Sequence, residues 1–540
     1  MKSLFDPEQA QEFISRHPGV SPDLALRVYT SRLIGRDPSL VLHGGGNTSV
    51  KVREKSILGE AQEILYVKGS GIDLAAIEPE GFVGLARESL GRLRTLPALS
   101  DEEMDNQLRI HKIRAASPDP SVEVLLHAFL PHRYIDHTHA DLILALTNQR
   151  EWKALLREAL GPRVAILPYL TPGLPLAKGV LEEYEADPGI EAAVVAQHGI
   201  FTFGDGARTA YERMIDYVGR AEAFLRKKSR RNAPGASPAE SAFPGKRISS
   251  LARFNQTVRG ACAFRSPGGG LRRFYAEVRA AADLARAASS PDAGRLCSSG
   301  VLTPDHVIRT KNRWVPCGEI PPDDGELKRA VRDAVEAFTR DYDRYFAGQS
   351  GARKAGMEKG DPYPRVFLVA GVGIVTLGFT RREARMAADI VEHTLRVKLL
   401  AGEAGEYAPI SEDHVFDMEY WPLQRKKLGQ PPPSSLQGQV AVITGAGGAI
   451  GLGIADRLLA AGAAVAVADI DSASLEKVRA ILAGKFGEIQ VESFVFDVRD
   501  YAAVERGLEE ISGRFGGVDI VVPNAGIAHV ARVEDLDPGK

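Results

Sequence analysis

Two histidines in the segment 136–141 could hold a metal ion. His137 and His139 are two residues apart, and side chains at that spacing share one face of an extended strand. The apolar run 142–146 that follows predicts burial, which places the pair at the mouth of a core strand. Two imidazoles pointing into one space suit a divalent metal. The alternative is structural, with one histidine capping a turn and the other satisfied in the core.

Two further residues could belong to the same site. The apolar segment 192–195 predicts a buried strand that leads to His198, a third imidazole at a strand terminus. Glu123 follows a proline-bounded segment that predicts a helix start, with Ser121 as its N-cap or first-turn residue. Glu123 shares a helix face with His127 at i, i+4 spacing. The alternative for Glu123 is a solvated first-turn carboxylate stabilised by the helix dipole.

Two glycine-containing turns suit a phosphate group. The first, His-Gly-Gly-Gly-Asn-Thr-Ser at 43–49, follows a predicted helix at 22–35 and a predicted strand at 40–42. The second, Lys-Gly-Ser-Gly at 68–71, follows a predicted strand at 64–67. Glycine lets backbone N–H groups approach an anion, and the small polar side chains add donors. A plain glycine hairpin is the alternative for the first turn.

These pieces occur in one order over about residues 20–225: HGGGNTS, KGSG, PSVE with a histidine four residues after the glutamate, HTH, and QHGIFTFG. Together they resemble the class II aldolase and adducin family. The resemblance implies that Glu123 handles the proton and that three imidazoles hold zinc: His137, His139 and His198. It also implies four contacts with the substrate phosphate, made by Asn47, Ser70, Gly71 and Ser121.

The chemistry of such a site agrees with the resemblance. Three neutral nitrogens leave a divalent ion with open positions for a carbonyl oxygen and an adjacent hydroxyl oxygen. The ion would stabilise the negative charge of retro-aldol cleavage, and Glu123 would move the proton if burial raises its pKa. Two other functions stay open: a metal-dependent pentulose-phosphate 4-epimerase with the same histidines, and a non-enzymatic adducin-like scaffold that needs none of them.

A dinucleotide-binding unit is predicted further along the chain. A strand at 440–443 leads into the glycine turn 444–451, a helix follows, and a strand at 464–468 ends at Asp469. An acidic residue at this spacing accepts from a ribose hydroxyl and repels a 2′-phosphate, which favours NAD over NADP. With Phe-Asp-Val at 496–498 and Asn-Ala-Gly at 524–526, the segment resembles the short-chain dehydrogenase family. The cofactor contacts implied are Gly445, Gly447, Gly448, Ile450, Gly451, Asp469, Asp497, Val498, Asn524, Ala525 and Gly526.

Two departures from that family stand out. Ala449 stands where the family usually has its middle glycine. The family's catalytic Ser and Tyr-x-x-x-Lys come well after Asn-Ala-Gly, and the sequence to Lys540 does not contain them. We therefore expect weak or lost NAD binding, in a chain that is either a fragment or carries an inactive dehydrogenase half.

The order aldolase, middle region, dehydrogenase resembles the bifunctional rhamnulose-1-phosphate aldolase/lactaldehyde dehydrogenase type. It implies zinc-dependent cleavage of a ketose 1-phosphate, rhamnulose 1-phosphate, to dihydroxyacetone phosphate and lactaldehyde, with NAD-dependent oxidation of the aldehyde by the other domain. The fold class predicted is α/β throughout. We predict a class II aldolase-like metal domain at 1–228 and a middle α/β region at 248–410, joined by a linker at 229–247. A second linker at 411–436 leads to the first part of a Rossmann-type doubly wound parallel sheet at 437–540.

The middle region contains a segment that repeats a sequence pattern from the first region. Gly-Ile-Val-Thr-Leu-Gly at 373–378, followed by a helix, repeats the pattern of Gly-Ile-Phe-Thr-Phe-Gly at 199–204, with Val372 at the place of His198. The middle region would then be a degenerate aldolase-like copy that has lost the metal. A chance similarity of strand, turn and helix is the alternative.

Composition narrows the class of partner. A net charge of −2 and a pI near 6.7 offer no basic field for nucleic acid, so we expect a small-molecule sugar phosphate. Three widely spaced cysteines without a CxxC pair fit a reducing cytoplasm. The N-terminus has no apolar signal core, and the sequence has no uninterrupted run of about 18 apolar residues, so we expect neither export nor a membrane span. We also expect a homo-oligomer.

Overall fold

The computed structural model describes residues 1–232, 246–266, 269–349, 357–425 and 434–526, together with positions 428, 532 and 534. Residues 233–245 of the first predicted linker, and most of 426–433 in the second, lie outside the described residues. The chain divides into two compact units. Unit 1 is Met1–Pro238, Ser298–Asn312 and Asp389–Gly429, and unit 2 is Ala239–Cys297, Arg313–Ala388 and Gln430–Lys540.

Up to residue 232 the helices are α1 (Pro7–Arg16), α2 (Pro22–Gly35), α3 (Arg87–Arg92), α4 (Asp101–Ile110), α5 (Val124–Phe129), α6 (Asp141–Thr147), α7 (Trp152–Leu160), α8 (Leu174–Ala186) and α9 (Ala207–Asn232). The strands are β1 (Asn47–Lys55), β2 (Ala61–Lys68), β3 (Phe82–Ala86), β4 (Tyr134–Thr138), β5 (Val164–Leu167), β6 (Ala192–Val195) and β7 (Gly199–Gly204). Single 3₁₀ turns occupy Leu74–Ala76, Pro79–Gly81 and Leu93–Thr95.

From 246 to 425 the helices are α10 (Lys246–Ala261), α11 (Ala282–Ala288), α12 (Ala293–Ser298), α13 (Val307–Thr310), α14 (Asp324–Gly348), α15 (Arg381–Ala404), α16 (Glu412–Glu419) and α17 (Pro422–Arg425), with a 3₁₀ turn at Pro304–His306. The strands are β8 (Phe264–Arg265), β9 (Leu271–Arg272), β10 (Tyr275–Arg279), β11 (Val315–Cys317), β12 (Val366–Val369) and β13 (Gly373–Gly378).

From 434 onward the order is β14 (Val440–Thr444), α18 (Ala449–Ala460), β15 (Ala464–Asp469), α19 (Ser472–Phe486), β16 (Val491–Val495), α20 (Tyr501–Phe515) and β17 (Ile520–Val522), with a 3₁₀ turn at Glu488–Gln490. The strands pair in parallel in the order β16-β15-β14-β17. This is the start of a doubly wound sheet, so the Rossmann-type prediction for this segment is confirmed.

Unit 1 is built on a sheet with the order β3-β2-β1-β4-β7-β6-β5, antiparallel except between β5 and β6. Apolar side chains fill a core on each face. One core lies with α2, α6 and α9, and the other with α5 and α8. Both sheet faces are thus covered by helices, as the predicted α/β class requires.

Local signals explain where several elements begin. Pro22 stands at the first position of α2, and Ser21 caps it by accepting a hydrogen bond from the Leu24 N–H. The helix predicted at 22–35 is confirmed, as are strands β2, β6, β14 and β15. Gly173 precedes α8 with a φ of 106°, a backbone conformation that favours glycine.

Three local predictions are wrong. Residues 40–42 are not a strand; the strand begins at Asn47, so Asn47, Thr48 and Ser49 are ladder residues rather than loop residues. The apolar run 142–146 is buried helix α6, and the strand of the histidine pair precedes it, because a short apolar run does not distinguish a buried strand from a buried helix. Ser121 is not a helix cap, since α5 begins after Glu123 and has no side-chain cap.

The segment 412–425, inside the second predicted linker, contains α16 and α17. Val415, Met418 and Trp421 are buried there and join the unit 1 core that holds Leu125 and Leu176. Val301 and Val307, from the stretch Ser298–Asn312, join the same core. Parts of the predicted middle region therefore complete the hydrophobic core around the metal domain.

In unit 2 the middle region repeats the second half of the unit 1 sheet. Its strand order, β10-β13-β12-β11, and its strand directions match β4-β7-β6-β5. The two hairpins have the same register, Val195 opposite Gly199 and Val369 opposite Gly373. The Thr202 hydroxyl donates to the carbonyl eight residues on, and the Thr376 hydroxyl does the same.

Candidate active site

Three imidazoles meet at one end of the unit 1 sheet. His137 lies on β4, His139 just precedes the Ala140 cap of α6, and His198 lies in the turn between β6 and β7. One ring nitrogen of each lies within 4.8 Å of the others, and the His137 and His139 Nε2 atoms are 3.1 Å apart. The structure therefore brings together the three residues predicted as metal ligands.

The turn glycine after His198 makes this approach sterically feasible. A Cβ on Gly199 would lie 2.3 Å from the Thr138 carbonyl oxygen and 3.0 Å from Cε1 of His137. Only glycine leaves room for β4 and the β6–β7 turn to run this close together. Gly199 is the residue that packs two of the ligand-bearing segments against each other.

The hydrogen bonding of His137 presents a lone pair to the centre of the cluster. Its Nδ1 lies 3.1 Å from the Ile200 carbonyl oxygen, which can only accept, so Nδ1 carries the proton and Nε2 does not. Its ring stacks on Phe201 with 3.9 Å between centroids. Burial lowers the pKa of His137 to about 4 and holds that of His139 well below its usual value, so both are neutral, the form that binds metal.

Glu123 lies directly beside the three imidazoles. Its Oε1 is 2.9 Å from Nε2 of His198, and its Oε2 is 3.5 Å from Nε2 of His137. Burial raises the pKa of the Glu123 carboxyl, but His137 and His198 outweigh burial and hold the pKa well below its usual value. The expectation of a raised pKa is wrong because it counted the apolar neighbours without the imidazoles.

A chain of hydrogen bonds leads away from Glu123. Its Oε2 accepts from Nδ2 of Asn47, which also donates to the Ser121 hydroxyl at 3.2 Å. The Asn47 carbonyl oxygen contacts Nε2 of His127, and the His127 Nδ1 lies 2.6 Å from the Ser49 hydroxyl. His127 and Ser49 are fully buried.

The loops predicted to bind phosphate also meet. A Cβ on Gly44 would lie 2.6 Å from the Gly71 carbonyl oxygen, and the Ser70 N–H donates to the Asp119 carbonyl at 2.8 Å, close to Ser121. Buried Lys68 donates to the Gly44 and Ile72 carbonyls, both at 2.8 Å, and so places a positive charge beneath the loops. The phosphate role of the four predicted residues remains a prediction.

Several residues at the site carried no sequence signal. Arg27 forms an ion pair of 2.6 Å with Asp136, the residue before His137 on β4, and both side chains are fully buried. Burial raises the pKa of Tyr169, and the charges of Asp305, Asp417 and Glu123 act in the same direction. Asp305 comes from the stretch Ser298–Asn312, so only the folded unit reveals that it lies within electrostatic reach of the site.

In unit 2 the predicted dinucleotide residues gather at the carboxyl ends of the parallel strands. Oδ2 of Asp469 accepts from the Gly447 N–H at 2.9 Å, and the Asn524 amide donates to the Thr444 and Gly445 carbonyls, both at 3.1 Å. A Cβ on Gly451 would lie 2.6 Å from Cα of Ala446. A glycine turn followed by a helix start is the arrangement that binds a pyrophosphate in dinucleotide-binding folds, and this role remains a prediction for the present chain.

Among the remaining predicted cofactor contacts, Ala525 is hydrogen-bonded to that turn. Asp497 pairs with Arg499 at 2.7 Å, and Val498 and Ile450 have exposed side chains. The Ala525 N–H donates to the Thr444 hydroxyl at 3.1 Å. A cofactor role for these residues stays a prediction.

Comparison with known proteins gives the family. Class II Aldolase and Adducin N-terminal domain matches residues 26–225, Aldolase class II, second domain matches 249–428, and short chain dehydrogenase matches 439–540. The uncharacterized oxidoreductase YuxG of Bacillus subtilis is 30% identical over 532 residues, which is 98% of this chain and 75% of that protein. The chain belongs to the family that joins class II aldolase domains to a short-chain dehydrogenase domain.

Other relatives match single domains. D-threitol dehydrogenase of Mycolicibacterium smegmatis is 37% identical over 101 residues, so the chain spans 38% of its length. The N-terminal class II aldolase domain of a Thermoplasma acidophilum protein is 39% identical, with a TM-score of 0.36, over 42% of this chain and 97% of that one. A sugar-phosphate aldolase from Thermotoga maritima is 19% identical, with a TM-score of 0.31, over 42% of this chain and 99% of that one.

Among the residues that the structure describes, no helix is both long enough and apolar enough to cross a membrane.

Proposed function

We propose that this chain is a zinc-dependent aldolase that cleaves a ketose 1-phosphate, rhamnulose 1-phosphate, to dihydroxyacetone phosphate and lactaldehyde. The observation that carries the proposal is the cluster of three imidazole nitrogens within 4.8 Å, with the Glu123 carboxylate 2.9 Å from one of them. Three nitrogen ligands suit zinc and leave positions open. When bound, the ion would stabilise negative charge that develops on substrate oxygen atoms during cleavage.

Glu123 is the group placed to move protons. Retro-aldol cleavage removes a proton from a substrate hydroxyl and adds one to the carbon that leaves with the phosphate. The low pKa of Glu123 keeps it ionised, so it accepts the first proton as a base and can then return it as an acid. Its burial beside the imidazoles excludes water from this transfer.

The phosphate end of the substrate would lie at the glycine loops. Ser70, Gly71 and Ser121 supply small donors there, Asn47 holds the Ser121 hydroxyl through its amide, and the buried Lys68 ammonium adds a positive charge. A phosphate held at this edge leaves the sugar carbons directed toward Glu123, since Asn47 touches both Ser121 and Glu123.

A product panel tests the proposal. The protein is incubated with rhamnulose 1-phosphate, fuculose 1-phosphate and ribulose 5-phosphate, and dihydroxyacetone phosphate and epimerised pentulose are measured separately. Release of dihydroxyacetone phosphate, fastest from rhamnulose 1-phosphate, supports the proposal. Epimerisation without cleavage would establish the 4-epimerase instead, and a protein without bound metal or turnover would point to an adducin-like scaffold. Removal of zinc with a chelator and its replacement supply the control.

We also propose roles for the other two regions. The middle region is a degenerate aldolase-like copy, supported by the matching strand order and hairpin register. In that register Val278, Ala280 and Val372 stand where the first region has its three histidines. The dehydrogenase domain holds NAD by its adenosine half, in a cytoplasmic homo-oligomer. Light scattering and equilibrium dialysis with NAD test the last two statements.

A further inference from the structure

The buried chain Ser49–His127–Asn47–Glu123 has a fixed direction. Oε2 of Glu123 lies against the Nδ2 amide of Asn47 and accepts a hydrogen bond from it. The second Nδ2 hydrogen is taken by the Ser121 hydroxyl. The Asn47 carbonyl oxygen therefore faces His127, and His127 must present an N–H to it from Nε2.

Burial restricts His127 to one proton. It lowers the pKa of His127 to about 3, so the imidazole is neutral and carries a single N–H. With that proton on Nε2, Nδ1 accepts from the Ser49 hydroxyl at 2.6 Å. Every polar atom of the His127 ring is thus used in a directed hydrogen bond.

Two periodicities create this contact. Asn47 and Ser49 are two residues apart on β1 and share one face of the strand. Glu123 and His127 are four residues apart at the start of α5 and share one face of the helix. The strand face and the helix face meet, and the two pairs of side chains alternate along a single line of hydrogen bonds.

We infer that His127 is a positioning residue, whose Nε2–H holds the Asn47 amide so that it donates to Glu123 and to Ser121 at once. Asn47 then links the group that moves the proton to a residue of the phosphate loops. Without His127 the amide is free to turn and set its oxygen against the carboxylate. The inference rests on the proposed function for its kinetic consequence, but the orientation of the side chains does not depend on it.

Substitution separates positioning from structure. Glutamine at 127 keeps one donor and one acceptor, whereas phenylalanine keeps the bulk and removes both. We expect His127→Phe to lower kcat for cleavage about 100-fold, as for a misplaced catalytic group, with zinc content and KM within about twofold. We expect His127→Gln to recover kcat to within about tenfold of the wild type. His111→Phe, at the end of α4, is the matched control for the histidine-to-phenylalanine change.

A spectroscopic measurement is independent of turnover. In protein labelled with ¹⁵N-histidine, the His127 signal, assigned by its loss in His127→Gln, should show a protonated Nε2 and an unprotonated Nδ1. A protonated Nδ1 would overturn the inference. So would a His127→Phe enzyme with kcat within threefold of the wild type, or one that loses zinc along with activity and is not rescued by glutamine. An Nε2–H signal in a protein that cleaves no sugar phosphate would refute the proposed function and leave the positioning of Asn47 intact.

Discussion

Replacement of Glu123 by glutamine is the most direct test of the proposed proton transfer. The change conserves side-chain volume but removes the group that can take up a proton. General acid–base catalysis contributes about 10²- to 10⁴-fold to rate. Both carboxylate oxygens face polar partners here, His198 and Asn47, and glutamine has only one acceptor oxygen to serve them. In one of the two contacts the glutamine N–H group then faces a partner that needs an acceptor, and this mismatch lowers kcat further.

We therefore expect kcat to fall about 10³- to 10⁴-fold, equivalent to about 4–5.5 kcal/mol of transition-state stabilisation at about 1.4 kcal/mol per decade. The metal should remain bound, because the three imidazoles are unchanged. The assay is dihydroxyacetone phosphate release at saturating substrate, with zinc measured on the same sample. Glu12→Gln on the exposed face of α1 is the matched control. Turnover of Glu123→Gln close to the wild-type value would show that another group moves the proton.

Three further predictions concern the metal, the fold and the second domain. The substitutions His137→Ala, His139→Ala and His198→Ala should each lower bound zinc in elemental analysis and abolish cleavage, because the two remaining nitrogens bind the ion poorly. Arg27→Met should lower the free energy of unfolding of the aldolase domain by about 3–5 kcal/mol in urea, because Asp136 is left buried without its partner; an unchanged midpoint would contradict this. In equilibrium dialysis NAD should bind more tightly than NADP, because Asp469 is placed to accept from a ribose hydroxyl and to repel a 2′-phosphate; equal binding of the two nucleotides would contradict this.

The sequence predicted the site better than the elements around it. His198 lies 59 positions after His139 in the chain, yet His137, His139 and His198 each stand in a motif whose residue types imply a role. The strand prediction at 142–146 is wrong because apolar runs of that length are buried in either conformation. The prediction that His137 and His139 lie together is nevertheless correct, because it depends on the alternation of residues before the run 142–146.

Electrostatics could not be predicted in the same way. The pKa of Glu123 depends on which charges lie within a few ångströms, and the sequence indicates only its apolar neighbours. The folded unit adds His137 and His198 at 3.5 Å and 2.9 Å, and these reverse the direction of the shift. The Arg27–Asp136 pair is equally long-range, so it has no local pattern to reveal it.

By itself the sequence determined the α/β class, the three imidazoles and the dinucleotide turn, because these depend on short spacings and on glycine at particular positions. Tertiary structure alone decided that Asn47 faces Glu123, that His127 contacts Asn47, and that the stretches Ser298–Asn312 and Asp389–Gly429 join the unit that holds the histidines. Such contacts join residues separated by 76 to 252 positions, and they depend on how distant elements pack together. Residue spacing along the chain does not predict such long-range contacts, so only the folded structure shows them.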